Sequence, residues 1–181
     1  SKVAPTDAPV LIRGPTGVGK ELVAKRLHEQ SGRTGRFVAI NCSAIPAELM
    51  ESELFGHSKG AFSGAVSSFA GRIRHSENGT LFLDEIGDMD SSLQSKMLRF
   101  LQEGVVTPVG SNEEFVANTR IISATHQPLE DLIKQGDFRE DLFFRLNVIP
   151  LSVAALSARG EEIAEFFEFF ADKFDASIKP F

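Results

Sequence analysis

A short apolar run, Val10–Ile12, leads at once into Gly14-Pro-Thr-Gly-Val-Gly-Lys20 and then into a stretch with helical spacing. A buried strand that must become a helix through a glycine-rich turn puts the helix N-terminus at the strand's carboxyl end, as in a parallel α/β sheet. The glycines let consecutive backbone N–H groups curl around phosphate oxygens, the helix dipole adds its positive end, and Lys20 supplies a point charge. Gly14, Pro15, Thr16, Gly17, Val18, Gly19, Lys20, Glu21 and Leu22 are therefore the expected nucleotide contacts. Glu21 stands where a Ser or Thr ligand for Mg²⁺ usually follows the lysine, so that hydroxyl is missing. A glycine-rich turn with no ligand is the plainer alternative; strand, spacing and lysine together count against it.

Periodicity carries the same architecture along the chain. Strands are expected at Phe37–Ile40, Thr80–Leu83, Arg120–Ala124 and Asn147–Leu151. Helices are expected at Lys20–Gln30, from Pro46 through Leu54, at Ser91–Glu103, around Leu129–Gln135 and Phe138–Leu146, and at Glu161–Phe174. Gly56–Ser68 has no clear period and reads as a loop or a broken hairpin. The alternation predicts a five-stranded parallel sheet between helices, built as one domain, since 181 residues are too few for two comfortable ones.

Composition narrows the function. A net charge of −6 argues against a broad DNA-gripping face, and no uninterrupted apolar run reaches the ~18 residues of a membrane span. The first nine residues lack the apolar stretch of a signal peptide, and the single cysteine, Cys42, suits a reducing cytoplasm. Of the 16 phenylalanines, Phe82, Phe100, Phe115 and Phe143 lie among apolar neighbours and read as core, whereas Phe62 lies among small residues.

Gly79-Thr-Leu-Phe-Leu-Asp-Glu85 ends an apolar strand on two acids. In an open parallel sheet this end meets the phosphate loop, so Asp84 is expected to hold Mg²⁺ and Glu85 to polarise the attacking water. Two solvated acids after a core strand would be the commoner reading without the phosphate loop beside them.

The segment Glu51-Ser-Glu-Leu-Phe-Gly-His-Ser-Lys-Gly-Ala-Phe-Ser-Gly-Ala65 resembles the signature loop of bacterial sigma-54-dependent transcription activators, and the resemblance covers roughly residues 8–151. It implies an AAA+ P-loop NTPase core over 1–151, with 152–181 the partial start of a helical lid or a divergent helix. It further implies ATP and Mg²⁺ as cofactors, and a hexameric or heptameric ring. Sigma-54 is then the partner of a loop made by Gly60, Ala61, Phe62, Ser63, Gly64 and Ala65, with Phe62 the anchor. Ser63 replaces the family's usual Thr and keeps the hydroxyl; a Gly/Ser linker with one buried Phe is the bland alternative.

Three further positions carry over by resemblance. Asn41 matches the asparagine that holds the acidic glutamate inactive, and an ordinary strand-end turn is an equal alternative. Thr125 stands at the sensor position near the γ-phosphate, followed by His126 where Asn is commoner. Arg139 and Arg145 match the fingers that reach a neighbour's γ-phosphate; pairing with Glu140 and Asp141 on a helix surface is the alternative. The match weakens after Leu151, most of the lid with its sensor arginine is not expected here, and DNA binding is expected only through a domain not in this chain. Two rivals stay open: another AAA+ remodeller, which Gly60–Ala65 disfavours, and a nucleotide-responsive binding domain that no longer hydrolyses ATP, which Glu85 disfavours.

Overall fold

A computed structural model of the chain describes residues 3–154. Five strands form one fully parallel sheet: β1 (Val10–Arg13), β2 (Phe37–Asn41), β3 (Thr80–Asp84), β6 (Arg120–Thr125) and β7 (Ile149–Ser152), in the spatial order β2-β3-β6-β1-β7. Residues alternate faces along a strand, and neighbours accordingly enter opposite cores. Leu11, Leu81, Leu83 and Ile121 pack with α4 (Ser91–Glu103) and α6 (Glu140–Leu146), whereas Val10, Ile12, Phe82 and Ile122 pack with α1 (Lys20–Glu29). The sheet is thus buried on both sides, which is why Thr80–Leu83 is buried throughout.

The expected α/β fold is the observed one, and boundaries differ by a residue or two. The last strand begins at Ile149, and α6 begins at Glu140 with Arg139 as its N-cap. Asp90 caps α4 by accepting from the Ser92 N–H at 2.8 Å, and Gly104, at φ 69°, ends it in the left-handed conformation. Two small features were not expected: the single turn α3 (Arg72–His75) and the two-residue hairpin of β4 (Val105–Val106) with β5 (Phe115–Val116). Helices α2 (Ala47–Phe55) and α5 (Leu129–Gln135) fall where periodicity places them. The helix expected at Glu161–Phe174 lies outside the described residues, as does 155–181 of the expected lid.

Among the described residues, strand β7 is an edge of the sheet. Its Ile149 and Val153 N–H groups donate inward to the Pro9 and Arg13 carbonyls, so Pro150, opposite Leu11, turns its donorless nitrogen outward.

Phe82, Phe100 and Phe143 are core as expected, and Phe115 is half-buried under the Arg74 guanidinium. Cys42 is buried, and burial, followed by the charges of Asp84, Asp88 and Glu85, pushes its thiol up to about 12. At pH 8 the native thiol should therefore react with an aromatic disulfide reagent about a thousandfold more slowly than the urea-unfolded chain. Equal rates would show that the thiol is not enclosed.

Candidate nucleotide site

The phosphate loop is shaped by close backbone approach. Gly17 and Gly19 take φ of 81° and 87°, and a β-carbon on Gly14 would lie 2.4 Å from the Val153 carbonyl oxygen. Val18 is buried in the α1-side core and anchors the loop from below. Lys20, only 5% exposed, donates to the Gly14 and Pro15 carbonyls at 3.1 and 3.3 Å and to Glu85 Oε1 at 3.3 Å.

Strand β3 delivers the acidic pair from the opposite wall. Asp84 Oδ1 accepts the Glu85 N–H at 3.0 Å, and Glu85 itself adopts the left-handed φ of 51°. A non-glycine residue there costs conformational energy, which the surrounding contacts must offset. The second Glu85 oxygen meets His126, at 2.6 Å to Nδ1 and 3.3 Å to the backbone N–H. Burial alone would raise the Glu85 carboxyl, but the His126 hydrogen bonds and the Lys20 charge outweigh it and hold it below the ordinary range. Asp84 moves the other way, raised by burial and then by the charge of Glu85.

These groups line a cleft of about 590 Å³, with Thr16, Gly17, Gly19, Lys20, Glu21 and Leu22 on one wall. Asn41, Ser43, Asp84, Glu85, Asp88 and His126 form the other. Four carboxylates against one ammonium make a poor trap for a bare anion. They suit a phosphate that arrives with a divalent cation, and one or two carboxylates plus phosphate oxygens are a usual Mg²⁺ set. Among the described residues no group of three acidic, His or Cys side chains could hold a metal unaided. Within the acidic pair both Glu85 oxygens are engaged, whereas Asp84 accepts only through Oδ1.

Several of the expected residues have other partners in this structure. Asn41 lines the cleft but accepts from the Ser43 N–H and hydroxyl at 2.9 and 2.7 Å; the groups on Glu85 are Lys20 and His126. Thr125 is buried behind the wall, its hydroxyl accepting the Gln127 N–H at 3.0 Å and its carbonyl accepting the Gly14 N–H at 3.3 Å. It braces the phosphate loop, and His126 is the residue that faces the cleft. Arg139 and Arg145 line no part of it. Arg139 pairs with Asp141 at 2.7 Å, as the plainer reading had it, while Arg145 is exposed without a hydrogen bond or ion pair among the described residues.

The loop bearing Phe62 stands at the far end of α2. Gly60 and Gly64 take φ of 81° and 105°, and the Gly60 N–H closes the turn on the Ala65 carbonyl at 2.8 Å. Ala61 is half-buried, Ser63 exposed, and Ala65 buried. Phe62 is 38% exposed and rests edge-on against His57, ring centres 5.0 Å apart. His57 bridges Ser52 on α2, at 2.6 Å, and the Ser67 carbonyl, at 3.0 Å. The loop base also pairs with Val109, since the Ser58 N–H donates to the Val109 carbonyl and the Val109 N–H to the Gly56 carbonyl. The broken hairpin of the sequence reading is realised here by the bridge between His57 and Phe69. The supporting role of His57 was missed; its only sequence signal is an aromatic, polar ring next to a glycine in a loop.

The profile of a family described as Sigma-54 interaction domain matches residues 1–152. Transcriptional regulatory protein GlrR of Escherichia coli (strain K12) is 54% identical over 162 residues, 89% of this chain and 36% of that protein. The chain thus spans about a third of the length of the curated relatives it matches. The crystal structure of NtrX from Brucella abortus in complex with ADP superposes with a TM-score of 0.85 at 43% identity, covering 99% of this chain and 40% of that one. NtrX in complex with ATP gives 0.84 at the same identity, covering 96% and 39%.

Proposed function

The chain belongs to the sigma-54 interaction domain family, and from that premise we propose that it is an ATP-driven activator core that remodels sigma-54 RNA polymerase. The observation that carries this reading is one continuous path. Strand β2 ends at Asn41 in the nucleotide cleft, and α2 follows it and runs directly into the loop that presents Phe62. A change at the cleft wall can therefore reach the loop through a single helix.

The chemistry follows from the side chains. Lys20 moves from Glu85 to the β/γ-phosphate oxygens, and Asp84, with the cleft's hard oxygen donors, would hold Mg²⁺, which would supply charge neutralisation on the phosphates. Glu85, freed from Lys20, accepts a proton from the attacking water as the bond between the γ-phosphorus and the ADP oxygen breaks. His126 borders the site where the γ-phosphate departs, Thr125 braces the phosphate loop behind it, and Asn41 takes up the carboxylate of Glu85 in the off state. Arg139 and Arg145 complete the site of a neighbouring copy in a hexameric or heptameric ring, in the cytoplasm. Contact with promoter DNA belongs to a part of the protein outside this chain.

Capture of sigma-54 by the chain with ADP and a metal fluoride, read by native gel, tests the proposal. Phe62→Ala should abolish capture and leave ATP turnover within about twofold, because the ring is exposed and lines no part of the cleft. No capture by the parent chain, under conditions where an established activator captures sigma-54, would defeat the reading.

A further inference from the structure

Gln94 is a fully buried amide on α4 in which every polar atom is used. Its Nε2 donates to the Met89 carbonyl at 2.8 Å and to the Asp137 carbonyl at 2.9 Å, and its Oε1 accepts the Arg139 N–H at 2.8 Å. Met89 closes the turn Ile86–Asp88 that follows Asp84 and Glu85. Arg139 is the N-cap of α6, whose last turn carries Arg145. One side chain thus joins the turn behind the acidic pair to the start of the arginine-bearing helix. The next residue, Ser95, adds a contact to the Arg139 guanidinium at 3.3 Å. The geometry is more specific than packing needs, because an apolar residue between Leu93 and Met97 would fill the same space without requiring three partners.

We propose that Gln94 is a positioning residue that ties the acidic turn of one copy to the arginines it offers the next. Glu85 sits in a strained backbone conformation at the head of that turn. A change there is passed by Met89 and Gln94 to the backbone of Arg139, and so to the reach of α6. The inference rests on the reading that Arg139 and Arg145 act on a neighbouring copy.

Mixtures of full-chain variants test it. Gln94→Met alone should bind a fluorescent ATP analogue within about twofold of the parent, yet turn over ATP about a hundredfold more slowly, the usual cost of misplacing a catalytic group by about 1 Å. Mixed with Glu85→Gln, which keeps its arginines but lacks the base, it should regain turnover, because its own site is sound. Mixed with the Arg139→Ala/Arg145→Ala double variant, it should regain none, because neither partner then presents arginines. Regain with the double variant, or no regain with Glu85→Gln while the double variant is rescued by Glu85→Gln, would overturn the proposal. Failure of that last reference mixture would instead remove the reading that arginines act between copies, and the inference with it. Should Gln94→Met not bind nucleotide, Gln94→Glu decides by the same mixtures, since it keeps the acceptor for Arg139 and loses both donors.

Discussion

Arg145→Ala is expected to slow ATP turnover by about 10³–10⁵ at concentrations where the parent's specific activity has stopped rising with protein. The side chain is exposed, has no partner among the described residues, and lies outside the cleft of its own copy. It is therefore free to meet a developing phosphate charge elsewhere. Nucleotide binding to the variant should match the parent, because Lys20 and the phosphate loop are untouched. Arg139→Ala should cost less, since Asp141 already neutralises that guanidinium. The check is turnover against protein concentration for all three chains. Parental turnover in Arg145→Ala would end the finger role, and a parent whose specific activity does not depend on concentration would end the idea that copies complete one another.

Glu85→Gln should lower turnover by about 10²–10⁴ and leave nucleotide bound at least as well. The second half follows from the ion pair. Lys20 is held by Glu85 at 3.3 Å, and a phosphate competes for the same ammonium. The neutral amide competes less, so binding improves as hydrolysis fails. The carboxyl is also held below its ordinary range, so it is ionised at neutral pH but a weak base while Lys20 and His126 remain on it. Losing those contacts raises its basicity, which couples phosphate capture by Lys20 to activation of the water. Stopped-flow binding and single-turnover hydrolysis measure the two effects separately. Weaker binding by the variant would contradict the competition.

The first strand, the phosphate loop and α1 were legible because three constraints coincide there: glycine spacing, a lysine and a change of period. The acidic strand was legible for the same reason, an apolar run that stops at two charges. The short hairpin β4–β5 was not, since two-residue strands carry no period, and α3 is a single turn. Contacts were less legible than elements. Nothing in the spacing says that Glu85 meets His126, 41 residues away, when Asn41 has a closer partner in Ser43. Gln94 did leave a trace: it lies on the same helical stripe as Met97, Leu98 and Leu101, a polar residue where the pattern asks for an apolar one.

Pro150 has a consequence for how copies of this domain can share space. An exposed sheet edge offers a ladder of donors and acceptors to any other chain, and a domain gathered at high local concentration is most at risk of growing into fibres. On the β7 side that ladder lacks one rung, because the outward nitrogen of Pro150 has no hydrogen to give. A stray strand docking there would lose a hydrogen bond midway along its length. Backbone pairing on this flank is thereby weakened at its centre, which favours contact through side chains, and those can be released.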